Sequence, residues 1–151
     1  MKIAVSALAA LIVLWLIAFA AMGWWSGRES SATVGMIGDR LGSCPASPNC
    51  VCSENADDDA HSVAPITGAA DQAMIIEVAE TAGGQLVSEA PGYVHFIFTS
   101  RIFRFVDDVE FRIDKDLTHV RSASRVGYSD LGVNQKRVEQ LRQMIIDRRG
   151  S

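Results

Sequence analysis

Positive charge is scarce through the first two thirds of this sequence. Between residues 26 and 100 only Arg28 and Arg40 are basic, against ten acidic side chains, and the first 25 residues contribute Lys2 alone. With a formal net charge of −4, such a chain is not built to neutralise a run of phosphates, so no nucleic-acid partner is expected. After residue 100 the balance reverses to eleven basic against eight acidic side chains, which assigns any anion site to the C-terminal part. Tryptophan is absent beyond Trp25, and cysteine is limited to Cys44, Cys50 and Cys52. A nucleophile elbow, a phosphate-binding glycine loop and a metalloprotease helix are all missing, which removes the ready-made catalytic readings. There is no internal repeat and no sign of a second domain. Apolar residues make up 48% of the chain, enough to bury a core and to exclude disorder throughout.

Part of that apolar content is one continuous run from Ile3 to Trp25, whose only hydroxyl is Ser6. As a helix it is about 35 Å long, enough to cross a ~30 Å hydrocarbon layer, with Trp24 and Trp25 at headgroup level. The rival reading is a signal peptide cleaved after Ala18-Phe19-Ala20. The run is long for a signal peptide and continues past that site into the tryptophan pair, which favours a retained anchor. Both readings take the chain out of the cytosol. Lys2 and the α-amine favour an N-terminus on the inside, so the expected location is the inner (cytoplasmic) membrane, single pass, with the domain on the extracytoplasmic side. Leu41-Gly42-Ser43-Cys44 resembles a lipoprotein cleavage box but follows Trp25 at too great a distance to serve as one.

The expected organisation is a transmembrane anchor over residues 1–25, a flexible tether over 26–40 and a single α+β domain over 41–149. Residues 26–40 are rich in Ser, Gly and Thr without periodicity. Residues 41–65 hold three of the four prolines, all three cysteines and the run Asp57, Asp58, Asp59, and read as an irregular surface loop. Thr67 can cap a helix from about Gly68 to Ala82, with Ala70, Met74, Val78 and Thr81 on one stripe and Gly83-Gly84 as its stop. The period then changes to two. Gln85–Glu89, Tyr93–Thr99, Val106–Asp114 and Leu117–Arg125 read as strands, with Pro91-Gly92 and Lys115-Asp116 among the turns. A last amphipathic helix is expected over about Asn134–Arg149, with Val138, Leu141, Met144 and Ile145 on one side. The predicted fold is a four-stranded antiparallel sheet with helices on its apolar face.

Three groups of residues could carry chemistry. Cys44 and Cys50 bracket a short loop with two prolines, and outside the cytosol a disulfide is the simpler reading, leaving Cys52 unpaired. The alternative, a metal site of Cys44, Cys50, Cys52 and His61, lacks the two-residue spacing typical of zinc knuckles; neither metal nor cofactor is expected. The second group is the polar sheet face, where Asp108, Glu110 and Arg112 can meet His119, Arg121 and Arg125, and His95 can join them. A cross-strand ion-pair network is one reading. Acid–base catalysis by Asp108 or Glu110 is the other, and neighbouring arginines oppose it by holding both carboxylates ionised. The third group runs from Arg121 to Asn134. Arg121, Ser124, Arg125, Tyr128 and Asn134 there, with Asp108 and Glu110 nearby, could line a site for a phosphate, sulfate or carboxylate at a helix start. Alternatively Arg125 and Asp130 pair to pin the loop, and Asn134 only caps.

Three ordered motifs carry a family resemblance: Leu41-Gly42-x-Cys44-Pro45-x-Ser47-Pro48-Asn49-Cys50-Val51, then Val106-Asp107-Asp108-Val109-Glu110-Phe111, then Arg121 through Asn134. Over about Leu41 to Arg142 the chain closely resembles the domain-of-unknown-function family 1499. The resemblance implies one compact domain of a kind found in bacterial envelopes and plastids, and no reaction or ligand. Cys52 stands where the family usually has serine, and Gln135 where arginine is common. The function expected is a membrane-anchored, extracytoplasmic binding or accessory module of the cell envelope, with an anionic small molecule or lipid headgroup as the candidate ligand. The competing expectations are a hydrolase or transferase acting on an anionic envelope substrate and a metal-binding envelope protein.

Overall fold

The computed structural model describes residues 2–29, 34–54, 58–68 and 70–150. Met1, residues 30–33 of the expected tether, Asp57 of the acidic run and Ala69 of the expected first domain helix lie outside the described residues.

The apolar run forms α1 (Lys2–Ser26), one helix long and apolar enough to cross a membrane. Its last turn is joined to the domain. Ser26 is fully buried, and its Oγ accepts the Val106 N–H at 2.9 Å and donates to the Val106 carbonyl at 3.3 Å.

Four strands lie where the alternating pattern predicts them: β5 (Gln85–Ala90), β6 (Tyr93–Thr99), β7 (Val106–Ile113) and β8 (Leu117–Ser124). The antiparallel sheet nevertheless has six strands, not four. Within the Cys/Pro-rich segment, β3 (Cys50–Cys52) pairs with the end of β8, and just beyond it β4 (Ile66–Thr67) pairs with the start of β8. The main order is β3-β8-β7-β6-β5. Strands of two or three residues have no period to read, and partner hydrogen bonds rather than their own pattern define them. A separate hairpin, β1 (Met36–Ile37) and β2 (Arg40–Leu41), turns through Gly38 at φ 67°, a conformation that glycine adopts without steric cost.

The first domain helix, α2 (Gln72–Thr81), starts later than expected because Thr67 is committed to β4. Asp71 caps it instead, its carboxylate accepting the Ala73 N–H, and its buried side chains are Ile75, Val78 and Ala79. The second, α3 (Val133–Arg149), buries Val138, Leu141 and Ile145 as the spacing requires. Both helices cover one sheet face, packing on Val94, Phe96, Phe98, Val109, Phe111 and Val120.

The other face carries the charged residues, and it is buried too. Asp108, Glu110 and Arg121 have no solvent exposure. The N-terminal segment lies over them: Glu29 and Gly35 contribute backbone groups, and Leu41 is fully buried with its N–H donated to Glu54.

Candidate functional site

Antiparallel register sets the charged face. Glu110 stands directly opposite Arg121, and Arg112 opposite His119. The Arg121 Nη1 donates to Glu110 Oε2 at 2.9 Å, and both side chains are 0% exposed. The other Glu110 oxygen accepts from the Tyr93 hydroxyl at 2.8 Å and from the Gly35 N–H at 2.6 Å. One position along the same face, Asp108 accepts a bidentate pair from Arg125 Nε and Nη2, at 2.9 and 2.8 Å, and its Oδ1 is 2.8 Å from His95 Nε2. Arg125 spends its remaining reach on the Glu29 carbonyl. At the far end Arg112 grips Glu54 through Nη2 and Nε, with the His119 ring 3.7 Å away.

The electrostatics follow from this closure. Burial alone would raise the Asp108 carboxyl, but hydrogen bonds from His95 and Arg125 outweigh it and hold the group below its ordinary range. Glu54 is held down in the same way: the Arg112 bond and the Leu41 N–H overcome its burial. Burial, followed by the Glu110 charge, pushes the Tyr93 hydroxyl well up, and burial lowers the His119 imidazole. Asp108 is therefore an ionised acceptor, and Tyr93 a fixed donor.

The glycine-containing loop is equally committed. The Asp130 carboxylate accepts the N–H groups of Gly132 and Asn134 at the start of α3, occupying the position an external anion would take. Arg125 pairs with Asp108 rather than Asp130. Asn134 is buried and its amide ties strands to helix, donating to the Asn49 carbonyl and Ser124 Oγ while accepting from Ser122 Oγ and Arg137. Arg137 in turn pairs with Asp107 at 2.6 Å. Asp108 with Arg125, Glu110 with Arg121, and Ser124 with Asn134 thus form three joined groups. Tyr128 stands apart, 78% exposed, on the lip of a cleft of about 400 Å³ between α1 and the loop. Its other walls include Phe19, Met22, Phe105, Leu131 and Val133. That volume and apolar lining are typical of small-ligand sites.

Cys44 and Cys50 form a disulfide, and Cys52 is free and buried. The bond takes two of the four ligands that a Cys3His site would need. His61 lies over the same loop, its ring nitrogens 2.7 Å from Asp58 and 3.2 Å from the Ser47 carbonyl.

Tyr93, Glu54, Asn49 and Arg137 belong to the polar network without having been singled out in the sequence. Tyr93 was within reach, lying two residues before His95 and hence on the same strand face. Glu54, Asn49 and Arg137 lie in loop or helix, where no strand alternation points to the sheet.

No curated protein and no solved structure matches the chain. A family model described as "Protein of unknown function (DUF1499)" matches residues 40–145. That span begins at β2 and ends in α3, taking in the charged sheet, the disulfide loop and the loop before α3. The chain belongs to the DUF1499 family.

Proposed function

We propose that the protein is a membrane-anchored, extracytoplasmic binding or accessory module of the cell envelope, with the cleft between α1 and residues 126–133 as its ligand-facing surface. The observation that carries this reading is the closure of the charged face. Asp108 and Glu110 each accept several protein hydrogen bonds, so neither is poised to move a substrate proton. Arg121, Arg125 and the start of α3 each already hold a carboxylate of the chain itself. An anionic small molecule or headgroup would have to displace one of them. The cleft needs no such exchange, and its walls suit a ligand with an apolar part.

The test is mass spectrometry of small molecules and lipids that copurify with the full-length protein in mild detergent, compared with Val133→Trp, which fills the cleft from an exposed position. An amphiphile retained by the wild type and lost from a normally folded variant supports the module. Turnover of an anionic substrate that disappears in a normally folded Asp108→Asn variant would establish the hydrolase or transferase instead.

A further inference from the structure

The end of the domain beside α1 carries apolar side chains that none of the described residues covers. Ile102, in the loop between β6 and β7, is 82% exposed, and Leu131, in the loop before α3, is 87% exposed. Val133 and Tyr128 are exposed beside Leu131. Among the described residues, Arg104 and Leu131 are the non-glycine positions with left-handed backbone, at φ 61° and 55°, one in each of these two loops. A bulky residue in that region is an outlier that its surroundings must hold in place.

The β6–β7 loop does not merely approach α1. Phe103 packs on its side, with ring centroids 5.2 Å from Phe19 and 6.4 Å from Trp15, and Phe105 lies 6.1 Å from Phe19. The backbones touch as well: a Cβ on Gly23 would collide with the Phe103 carbonyl oxygen, so only glycine permits this crossing. Phe19 lies five residues before Trp24, about 8 Å along the helix axis. If Trp24 and Trp25 mark headgroup level, the Phe103 ring beside Phe19 lies about 8 Å below it, the depth at which apolar faces of interfacial elements rest. Arg101 and Arg104 flank Ile102 and Phe103, and Arg28 stacks on the Trp24 ring at 3.3 Å from its centroid. Long basic side chains around an apolar tip can keep their charges at the headgroups while the tip goes deeper.

We infer that this end of the domain is immersed in the membrane, with Ile102, Phe103 and Leu131 among the acyl chains and Arg28, Arg101 and Arg104 at anionic headgroups. The inference rests on the reading of α1 as a retained membrane span. It places the domain in the bilayer surface rather than at the end of a slack tether, and it opens the cleft walled by Phe19 and Met22 toward lipid.

Spin labels report this directly. Single cysteines would be introduced in a Cys52→Ser background at Ile102, at Leu131, at Leu14 within α1, and at Lys115 in the turn at the opposite end of the sheet. The full-length protein would be reconstituted in vesicles of phosphatidylcholine with a minority of phosphatidylglycerol. Labels at 102 and 131 are expected to collide with oxygen and lose collision with a water-soluble nickel complex, as the label at 14 does, while the label at 115 collides freely with nickel. Labels at 102 and 131 that match 115, with 14 still shielded, would overturn the immersion and leave the anchor standing. A label at 14 as open to nickel as 115 would overturn both.

Discussion

Arg121 is a guanidinium with no access to water, and Glu110 opposite it has none either. Removing two such ions from solvent costs several kcal/mol each. The arrangement holds because Tyr93 and the Gly35 N–H complete the carboxylate's hydrogen bonds. Arg121→Met on its own leaves a buried carboxylate without its counter-charge and is expected to lower unfolding free energy by about 3–5 kcal/mol in urea titrations. Adding Glu110→Leu should recover part of that loss, because the apolar pair has no charge to desolvate, although the Tyr93 hydroxyl and the Gly35 N–H then lose their acceptor. A double variant no more stable than the single one would show that the pair does more than balance charge. Acidification acts on the same cluster. Folding lowers the proton affinity of Asp108, Glu54 and His119, so below neutrality the unfolded chain binds more protons than the folded one and stability falls with pH. The His119 share is present above its unfolded pKa of about 6.5 and is lost below it, and the carboxylate share follows from about pH 4 downward. Melting temperature should therefore be level between about pH 7 and 8, drop modestly below about 6.5 and drop steeply in the acid range; above about pH 8.5 burial of the Cys52 thiol, and nearer pH 10 that of the Tyr93 hydroxyl, lowers it again. His119→Gln should remove the first drop and leave the second.

The elements divide by whether their sequence has a period. β6 to β8 and α3 were legible because alternation over seven or eight residues, or apolar spacing over seventeen, identifies the face that is buried; β5 is exposed along nearly its whole length and was legible from its pattern and the Pro91-Gly92 turn alone. The two- and three-residue strands were not: β3 and β4 exist only by pairing with the remote β8, and the strands of the β1–β2 hairpin are too short to show a period. The same limit hid the character of the charged face. Asp108-x-Glu110-x-Arg112 identifies one side of a strand, but whether that side meets water depends on Glu29, Gly35 and Leu41 of the N-terminal segment lying over it. The nearness of Asp108 and Glu110 to Arg121 of β8 and to Arg125 just beyond it was readable from the hairpin register alone; the covering segment was not. The disulfide illustrates how such an element is held. Cys50 begins β3 and is paired with Ala123 of β8, while its bond to Cys44 closes the loop that leads into the strand. Loss of that small loop in Cys44→Ser is expected to cost about 2 kcal/mol and to speed amide exchange at residues 50–52 ahead of β6 and β7. Uniform exchange across the sheet in this variant would show that the edge has no stability of its own to lose.

At the scale of the whole molecule, three layers enclose two different interiors. One lies between helices and sheet and is apolar; the other lies between the sheet and the N-terminal segment and is ionic. Two carboxylates and two arginines in the second layer resemble a catalytic or anion-binding set in composition, but they are closed on one another and on backbone groups of Glu29 and Gly35. Under the proposed function the charged layer is a scaffold, and the working surface is the end of the domain beside α1. Thermal unfolding of the wild type and Arg125→Gln, each with and without sulfate or phosphate, separates scaffold from site most directly. Arg125→Gln is expected to deprive Asp108 of its bidentate partner and lose about 3 kcal/mol or more, seen as a large fall in melting temperature, with neither anion shifting either protein. Anion stabilisation of the wild type that vanishes in a variant of near-normal melting temperature would contradict the scaffold reading and make Arg125 part of a binding pocket.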